Sequence, residues 1–480
     1  MESENITNYL KHYGFFLPAA EIYGGLAHIW DWGPLGVELK RNLKKWWWKK
    51  FITTSPYNVG SDSAIITHPQ ILEASGHLKN FNDWLVECRG CQKRYRVEEL
   101  LSPVEQVDFS TASNKSYFPV QKKCPICKRA VELYPRQFNL LLSTNLEITE
   151  NKENRVYLRP ETCQGIFVNF SAIQLSTRKK LPFGIGQIGK SFRNEITLRH
   201  GIFRTREFEQ MELEFFCLAS ENQKWWEYWT TQAWDFLQKI IVNPVQQTKK
   251  IAVEKTELPH YSQQTLDFYC QYHFGWGEVC SSSQRGDYDL TQHSKLSGKK
   301  LSSEETNPVV IEVSFGVERL LLAMLESAYR QEEINEKGKI TTRQFLQLPP
   351  LFTPYFVAII PQPASKENQG PQIRLRAYQL YCQLLKEVDF ALTYEETDSI
   401  GKSYRRQDAI GTYYCLTMDT LTVNEYLSGG KPNPDYNTVT LRQRDNREQE
   451  KTRIKIEDIK INLNERYRNE TSKFLSENRL

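Results

Sequence analysis

Residues 183–195 (FGIGQIGKSFRNE) and 205–218 (TREFEQMELEFFCL), joined by 196–204 (ITLRHGIFR), decide the fold. The outer segments are runs of strand type, and together they predict a long-looped antiparallel hairpin. Residues two apart in a strand share a face, so Arg193 and Glu195 are expected to point together from one arm. Arg206, Phe208, Gln210 and Glu212 do the same from the other. One sheet face then collects charges around an aromatic ring. Burying that many charges costs several kcal/mol per ion unless a ligand or an internal ion-pair network compensates. A salt-bridged, half-exposed sheet is the alternative that the spacing leaves open.

Upstream, residues 33–51 (GPLGVELKRNLKKWWWKKF) read as a Gly/Pro loop and a long basic, aromatic helix that can pack on a core or a partner subunit. From about 85 to 135 the pattern breaks into short polar pieces, then alternation returns in FNLLLS, which marks an insertion. Downstream, QKWWEYWTTQAWDFLQKII predicts a helix, and 220–300 is expected to include a helical insertion. VVIEVSF reads as a buried strand feeding a helix, with Val317, Leu320, Leu321, Met324, Leu325 and Ala328 at helical spacing. Gly316 at that junction permits close approach of a ligand, and Arg319 one turn on offers a flat cation; either residue also fits a structural role. Beyond a linker near 346–354, the order strand (PYFVAII), helix, strand (FALTYEE), helix, strands (YYCLTM, TVTLRQR) implies a small α/β domain. Its first helix carries the stripe Ala377, Leu380, Tyr381, Leu384, Leu385 and Val388. The charged tail from about Arg447 looks poorly constrained.

With 480 residues, 40% hydrophobic and 25% charged, the chain can bury a core and form two to four domains without disulfides. No apolar run approaches the roughly 20 residues of a membrane span. The start, MESENITNYLKHYGFF, has the pattern of neither a secretory signal nor a transit peptide, so a cytoplasmic location is expected. A net charge of +4 leaves a nucleic-acid partner open, although LKRNLKKWWWKKF can form a basic patch. Of ten cysteines, four form two pairs, Cys88/Cys91 and Cys124/Cys127, with the spacing of a tetrahedral thiolate zinc site. Two unrelated thiol pairs are the alternative.

Two longer strings are recognisable. FRNEITLRHGIFRTREFEQMELEFF (192–216) closely resembles motif 2 of the glycyl-tRNA synthetases, the dimeric class II type, and IEVSFGVERLLLAMLE (311–326) resembles motif 3. GPLGVELK resembles the approach to motif 1, RPETCQGIFVNF (159–170) a glycyl-type active-site signature, and SIGKSYRRQDAIGT (399–412) the anticodon-binding domain. The resemblance runs from about Tyr23 to about Arg447 and implies an α+β fold. A class II catalytic domain on an antiparallel sheet is expected over 1–84 and 136–345, with motif 1 at about 33–51, motif 2 at about 183–216 and motif 3 at about 309–328. A zinc-binding insertion is expected at 85–135 and a C-terminal α/β anticodon-binding domain at 353–480. The activity implied is ATP-dependent attachment of glycine to tRNA(Gly) through a glycyl-adenylate, releasing AMP and pyrophosphate, in a homodimer joined through the motif 1 helix.

Glycine carboxylate must attack the α-phosphate of ATP, so two anions approach while pyrophosphate leaves, and cations must be in place beforehand. By resemblance, Arg193 contacts the α-phosphate, while Arg319 holds the distal end of a bent ATP and covers the adenine. Phe208 stacks on the other adenine face, Glu195 accepts from the adenine amino group, and Arg204 and Arg206 steer phosphates or the acceptor end. Glu278 holds Mg2+. The implied ATP contacts also take in Asn194, Phe203, Thr205, Glu207, Val279, Gly316, Val317 and Glu318. Glycine offers only an ammonium and a carboxylate. Glu161, Glu212, Glu312 and Ser314 match the ammonium-gripping positions and Arg96 the carboxylate partner, within an implied set that adds Phe208, Glu209, Gln210, Met211, Val313, Phe315 and Gly316. The ribose hydroxyl of tRNA then attacks the adenylate, a step needing no protein nucleophile. The four paired cysteines match a structural zinc module that rigidifies an insertion near the tRNA. Arg405, Arg406 and Gln407 match anticodon contacts, with capping and salt bridging as the alternative.

The chain departs from the family pattern in places. Leu198-Arg199-His200-Gly201 stands where a proline is frequent, Val313 replaces a frequent proline, and Cys163 a frequent alanine. The run VCSSSQRGDYDL after Glu278 implies different neighbours for Gln284 and Arg285, and Asp398 adds a carboxylate beside the expected RNA-facing helix. The competing readings are a catalytically inactive, nucleic-acid-binding accessory subunit, a class II synthetase for another small amino acid, and a zinc-stabilised RNA-binding protein without ATP chemistry. Arg193, Glu195, Phe208, Glu278 and Arg319 argue against the first; RPETCQG and FEQME favour glycine over other amino acids.

Overall fold

The computed structural model describes residues 3–88, 90–96, 122–131, 136–146, 154–195, 200–259, 261–302, 307–336, 339–363, 369–446 and 452–476. Its centre is a seven-stranded sheet built from Asn58–Gly60 (β1), Phe183–Phe192 (β2), Glu207–Cys217 (β3), Thr248–Ala252 (β4), Gln264–Tyr272 (β5), Gly275–Gly286 (β6) and Val309–Gly316 (β7). The order across the sheet is β4-β5-β6-β7-β3-β2-β1, antiparallel except where β2 runs parallel to β1. The predicted hairpin is therefore present, with Gln187 opposite Glu212 and Ser191 opposite Phe208. β2 ends at Phe192 and β3 begins at Glu207, so Arg193, Glu195 and Arg206 lie beyond the strands. Loop hydrogen bonds place them instead: the Arg193 amide donates to the Arg206 carbonyl at 2.9 Å.

The alternation of β3 sorts its side chains into two environments. Met211, Leu213 and Phe215 join Ile311, Val313 and Phe315 of β7 in the main apolar core. Three helices cover that side: Pro34–Trp48 (α1), Asn222–Ile240 (α3) and Val317–Ala328 (α4), while Cys163–Thr177 (α2) packs on the other face. Phe236 of α3 meets Phe51 and Phe315 edge-on, with ring centroids 5.6 Å from each. Such pairs contribute about 0.5–1.5 kcal/mol beyond simple burial, which stiffens the sheet behind the site. α1 begins with Pro34 in its first turn. Gly36 lets α1 lie against the chain before it, since a Cβ there would stand 1.9 Å from the Phe15 carbonyl oxygen.

Residues 220–300 prove different from the expected helical insertion. The helix is there as α3, but the sequence after it supplies β4, β5 and β6, three strands of the main sheet. Residues 82–87, 94–96 and 136–139 form a separate three-stranded sheet; 97–121 and 132–135 of the expected insertion lie outside the described residues. After α4 the chain makes an antiparallel hairpin, Tyr329–Glu336 with Lys339–Leu346, that the linker reading did not anticipate.

The C-terminal unit has the expected α/β pattern. Its strands are Val357–Pro361 (β8), Leu392–Tyr394 (β9), Tyr414–Met418 (β10), Thr438–Gln443 (β11) and Thr452–Lys455 (β12), in the order β9-β8-β10-β11-β12. Gly370–Leu384 (α5) and Ile400–Ile410 (α6) connect them. Of the tail expected to be poorly constrained, 447–451 and 477–480 lie outside the described residues, and the part between them is well held, contrary to expectation. It forms β12 and the helix Ile459–Leu475 (α7), in which Ile459, Leu463 and Phe474 are buried. Few apolar residues punctuate that charged helix, so its order comes from tertiary contact: Phe474 packs on Trp46, Phe236 and Phe352. Among the described residues no helix is long and apolar enough to cross a membrane.

Candidate active site

The pocket face of β3 carries Phe208, Gln210, Glu212 and Glu214 before Phe216 returns it to an apolar cluster with Phe167 and Phe170 of α2. A cavity of about 360 Å3 opens over this face, with Glu161, Glu212, Glu312 and Ser314 at one end and Arg193, Glu278 and Arg319 toward the other. A larger groove of about 840 Å3 lies between α1 and the C-terminal unit, but it lacks such a concentration of buried carboxylates.

At the carboxylate end, Glu212 is buried and accepts hydrogen bonds from the Ser314 hydroxyl at 2.7 Å, the Gln210 amide at 2.6 Å and the Thr162 hydroxyl. Ser314 is opposite Glu212 in the sheet register, and Glu312 is opposite Glu214. Burial, followed by repulsion from Glu312 and Glu161, pushes Glu212 up to about 7, against the pull of its hydroxyl donors. Burial raises Glu161 too, but His77, 3.4 Å away, and Arg285 hold it well below the usual carboxylate range. Glu161 also accepts from Gln164 at 2.9 Å. Arg285 is fully buried: it donates twice to Asp289, at 2.8 and 3.0 Å, and once to Glu312. Its guanidinium also lies 3.8 Å from the Tyr261 ring centre. This end is a carboxylate-rich cup with hydroxyl walls.

Toward the other end, the Arg193 guanidinium lies 5.4 and 5.3 Å from the ring centres of Phe81 and Phe208 and donates to the Pro160 carbonyl at 3.0 Å. Arg319 stands 4.7 Å from the Phe203 ring centre and donates to the Glu278 backbone oxygen at 3.1 Å, with the Glu278 carboxylate at 3.4 Å. Asp267 lines the cavity near Glu278; burial first, then repulsion from Glu278, pushes it up to about 6. Two cations at a distance from a carboxylate cup, with acidic groups beside one of them, suit a zwitterion at one end and phosphates with a divalent cation at the other.

Comparison with known proteins agrees with this geometry. Residues 145–328 match the tRNA synthetase class II core domain (G, H, P, S and T), and 357–466 match an anticodon binding domain. Glycine–tRNA ligase of Geobacillus thermodenitrificans (strain NG80-2) is 44% identical over 96% of this chain and 97% of its own. The glycine–tRNA ligases of Mesoplasma florum (42%, over 97% and 100%) and Staphylococcus aureus strain JH9 (43%, over 97% and 99%) are similarly close. The chain belongs to the glycine–tRNA ligase family.

Of the residues implied by that family, Glu195, Arg204, Thr205 and Glu318 line the cavity, each also held by partners within the protein, while several others face elsewhere. Glu209, Met211, Val313 and Phe315 alternate onto the far side of the sheet, so their side chains do not line the cup. Glu209 instead pairs with Lys40 at 3.1 Å and Lys44 at 2.8 Å from α1, and Glu318 pairs with Lys40 at 2.9 Å and accepts from the Glu209 amide. Val317 is buried in the main core. Arg96 is held by Asp83 at 2.6 Å and Glu195 at 2.8 Å, and Arg204 stands 3.7 Å from Glu195. Thr205 donates to the Glu207 carbonyl, Glu207 pairs with Lys190, and the Asn194 amide donates to the Leu140 carbonyl. Arg206 reaches back to the Glu195 carbonyl at 3.3 Å. Gly316 and Val279 line the cavity as well.

Of the departures noted in the glycine–tRNA ligase pattern, Arg285 has become the only guanidinium bound to the cup's carboxylates among the described residues, and Gln284 donates to Gln223 at 3.0 Å. Cys163 donates to Glu161 at 3.0 Å. Leu198 and Arg199 lie outside the described residues, while His200 stacks on Phe274 at 3.8 Å. Asp398 is met by Lys402 at 3.5 Å. On α6, Arg405 and Arg406 are exposed, whereas Gln407 is buried and donates to Glu395 at 3.2 Å, an interior role rather than an anticodon-facing one. Thr162, His77, Tyr261 and Asp267 were not singled out from sequence. The alternation of QTLDFYCQY was the available signal for Asp267.

The four cysteines come together through two copies of one turn. The Cys88 amide donates to the Lys93 carbonyl at 2.9 Å, as the Cys124 amide does to Arg129 at 2.8 Å, and Gln92 and Lys128 take φ of 57° and 58°. Sulfur–sulfur distances are 3.5 Å for Cys88–Cys127 and 3.6 Å for Cys91–Cys124, and all four sulfurs lie within 4.8 Å of one another. Ligands about 2.3 Å from a tetrahedral zinc stand roughly 3.8 Å apart, so the residues fit that ion. Burial would raise the Cys124 thiol, but the Tyr95 hydroxyl and backbone amides of Cys127 and Ile126 draw it down to about 6.

Replacing Arg285 by Met strands Glu312 and Asp289 without their cation. The expected cost is about 3–5 kcal/mol, read as a lower thermal midpoint, with Arg285→Lys recovering only part because one ammonium cannot match a bidentate guanidinium. A midpoint unchanged in Arg285→Met would contradict the assigned charge balance.

Proposed function

We infer that this chain activates glycine with ATP and transfers it to tRNA(Gly) through a glycyl-adenylate, releasing pyrophosphate and then AMP. The observation that carries the reading is the carboxylate cup at the end of a cavity whose other end holds Arg193 and Arg319. Glu161, Glu212 and Glu312 grip the ammonium, with Ser314 beside them, and so orient the glycine carboxylate toward the α-phosphate. Arg193, held by its hydrogen bond to the Pro160 carbonyl beside the Phe81 and Phe208 rings, stabilises the charge that develops there. Arg319 and Phe203 form a flat cation and ring pair suited to the distal part of the nucleotide. Glu278, with Asp267 beside it, would hold Mg2+, whose charge offsets that of the departing pyrophosphate. Arg96 acts in this reading by fixing Glu195 as well as by facing substrate.

The same reading makes the C-terminal unit the reader of the anticodon through the exposed Arg405 and Arg406. It makes the chain a cytoplasmic homodimer that uses α1 near the subunit contact. Cys88, Cys91, Cys124 and Cys127 would hold Zn2+, which supplies a covalent tie between two turns distant in sequence and takes no part in the chemistry.

The test is amino-acid-dependent ATP–pyrophosphate exchange with every proteinogenic amino acid. Exchange is expected with glycine alone and falls about 100-fold or more in Arg193→Ala. No exchange with any amino acid, from folded protein supplied with magnesium and tRNA, favours the accessory-subunit reading. For the cysteines, elemental analysis is expected to find one zinc per chain and none in Cys124→Ser; metal-free wild-type protein purified without chelator would overturn that assignment.

A further inference from the structure

Glu214 follows Glu212 on the pocket face of β3 and has no part in the chemistry above. It is fully buried, and neither of its carboxyl oxygens has a hydrogen-bond partner among the described residues. Gln187 of β2, opposite Glu212, is also fully buried with both amide atoms unpartnered. A Glu214 oxygen, a Glu212 oxygen and the Cys163 sulfur lie within 4.8 Å of one another. That separation is the span of one bridging water or one turn of the Glu214 side chain.

The surrounding charges decide which form Glu214 takes. Its own strand contributes Glu212, and β7 contributes Glu312 directly opposite it. Arg285, at the end of β6, spends its N–H groups on Glu312 and on Asp289 in the following helix. The start of α2 brings Glu161 and Cys163, with His77 beside Glu161, and Tyr261 lies against Arg285. Arg159, also buried, acts on Glu212 from a distance while donating to the Lys190 and Ser63 carbonyls. Carboxylates still outnumber the cations, and Glu214 alone among them has no donor. A buried carboxyl in that position takes up a proton instead of standing as an unpaired anion. Burial, then Glu312, push Glu214 well above the usual range, consistent with this reading.

We propose that Glu214 is a positioning residue of the glycine pocket, a neutral carboxylic acid that donates a hydrogen bond, through one water or after a turn of its side chain, to the Glu212 carboxylate that grips the ammonium. The donor steadies Glu212 as an anion without adding a charge beneath it. The step is proton transfer alone: when the ammonium enters, the O–H bond of any protonated Glu212 breaks, its proton passes to solvent water, and Glu214 keeps its own. The proposal rests on the glycine-activation reading of this cavity.

The test measures glycine KM by ATP–pyrophosphate exchange against pH, using the full chain. In the wild type KM is expected to be flat above about 7 and to rise as pH falls through that value, where Glu212 takes up a proton. Glu214→Met removes the donor: KM at neutral pH rises about tenfold and the midpoint moves to higher pH. Glu214→Gln, which keeps an N–H donor without a charge, returns KM to within about threefold of wild type and the midpoint to within about half a unit. If Glu214 is instead an anion that holds the ammonium, both variants raise KM alike and move the midpoint to lower pH, which overturns the proposal. Infrared difference spectra of wild type minus Glu214→Gln are expected to show the carbonyl stretch of a protonated acid; a carboxylate band in its place also overturns it. The infrared reading holds even if exchange is absent, so failure of the activity and failure of the proposal are told apart.

Discussion

More carboxylates are buried at the pocket face of the central sheet than the protein supplies cations to match. Arg285 serves Asp289 and Glu312, His77 stands beside Glu161, and Glu212 receives only neutral donors. An excess of this kind is costly in a folded chain, and several kcal/mol per uncompensated ion is the usual scale. In the proposed function, glycine, all ammonium and carboxylate, answers that excess with its ammonium and leaves its carboxylate free to meet the phosphate.

Holding such a cup open requires a stiff support. The opposite face of β3 and β7 provides it through Met211, Leu213, Phe215, Ile311, Val313 and Phe315, locked against the aromatic faces of α1 and α3. The same helix α1 reaches the Arg319 end of the cavity from behind: Lys40 joins Glu209 of β3 to Glu318, the neighbour of Arg319 on α4. Beyond α4 the chain runs into the hairpin whose Arg343 pairs with Asp408 of α6, and Arg442 pairs with the same carboxylate at 2.8 Å. The helix that carries Arg405 and Arg406 is thereby tied to the body that carries Arg319.

Much of this was legible in the sequence because its signals are periodic. The charged alternation of FEQME, the strand-to-helix step at Gly316 and the spaced cysteines each report a local geometry, and the structure brings those residues together. Period two also explains the failures: a contiguous run such as Glu209 to Glu212 was implied as one contact set, yet half of it must face the core. Arg285 and Gln407 were ambiguous because their roles depend on partners far away in the chain. The order of α7 was hidden for the same reason, since a charged helix with few apolar residues is held by Trp46 and Phe236 rather than by its own pattern.

The account depends on the cup recognising an ammonium, and one calorimetric comparison tests this directly. A non-hydrolysable glycyl-sulfamoyl-adenosine is titrated into the protein alongside the acetyl analogue, which differs by lacking the amino group. The glycyl compound is expected to bind about 100-fold tighter or better above pH 7, and below it to release protons from Glu212 as it binds. Equal affinity for the two compounds, with no proton release at any pH, would contradict the account.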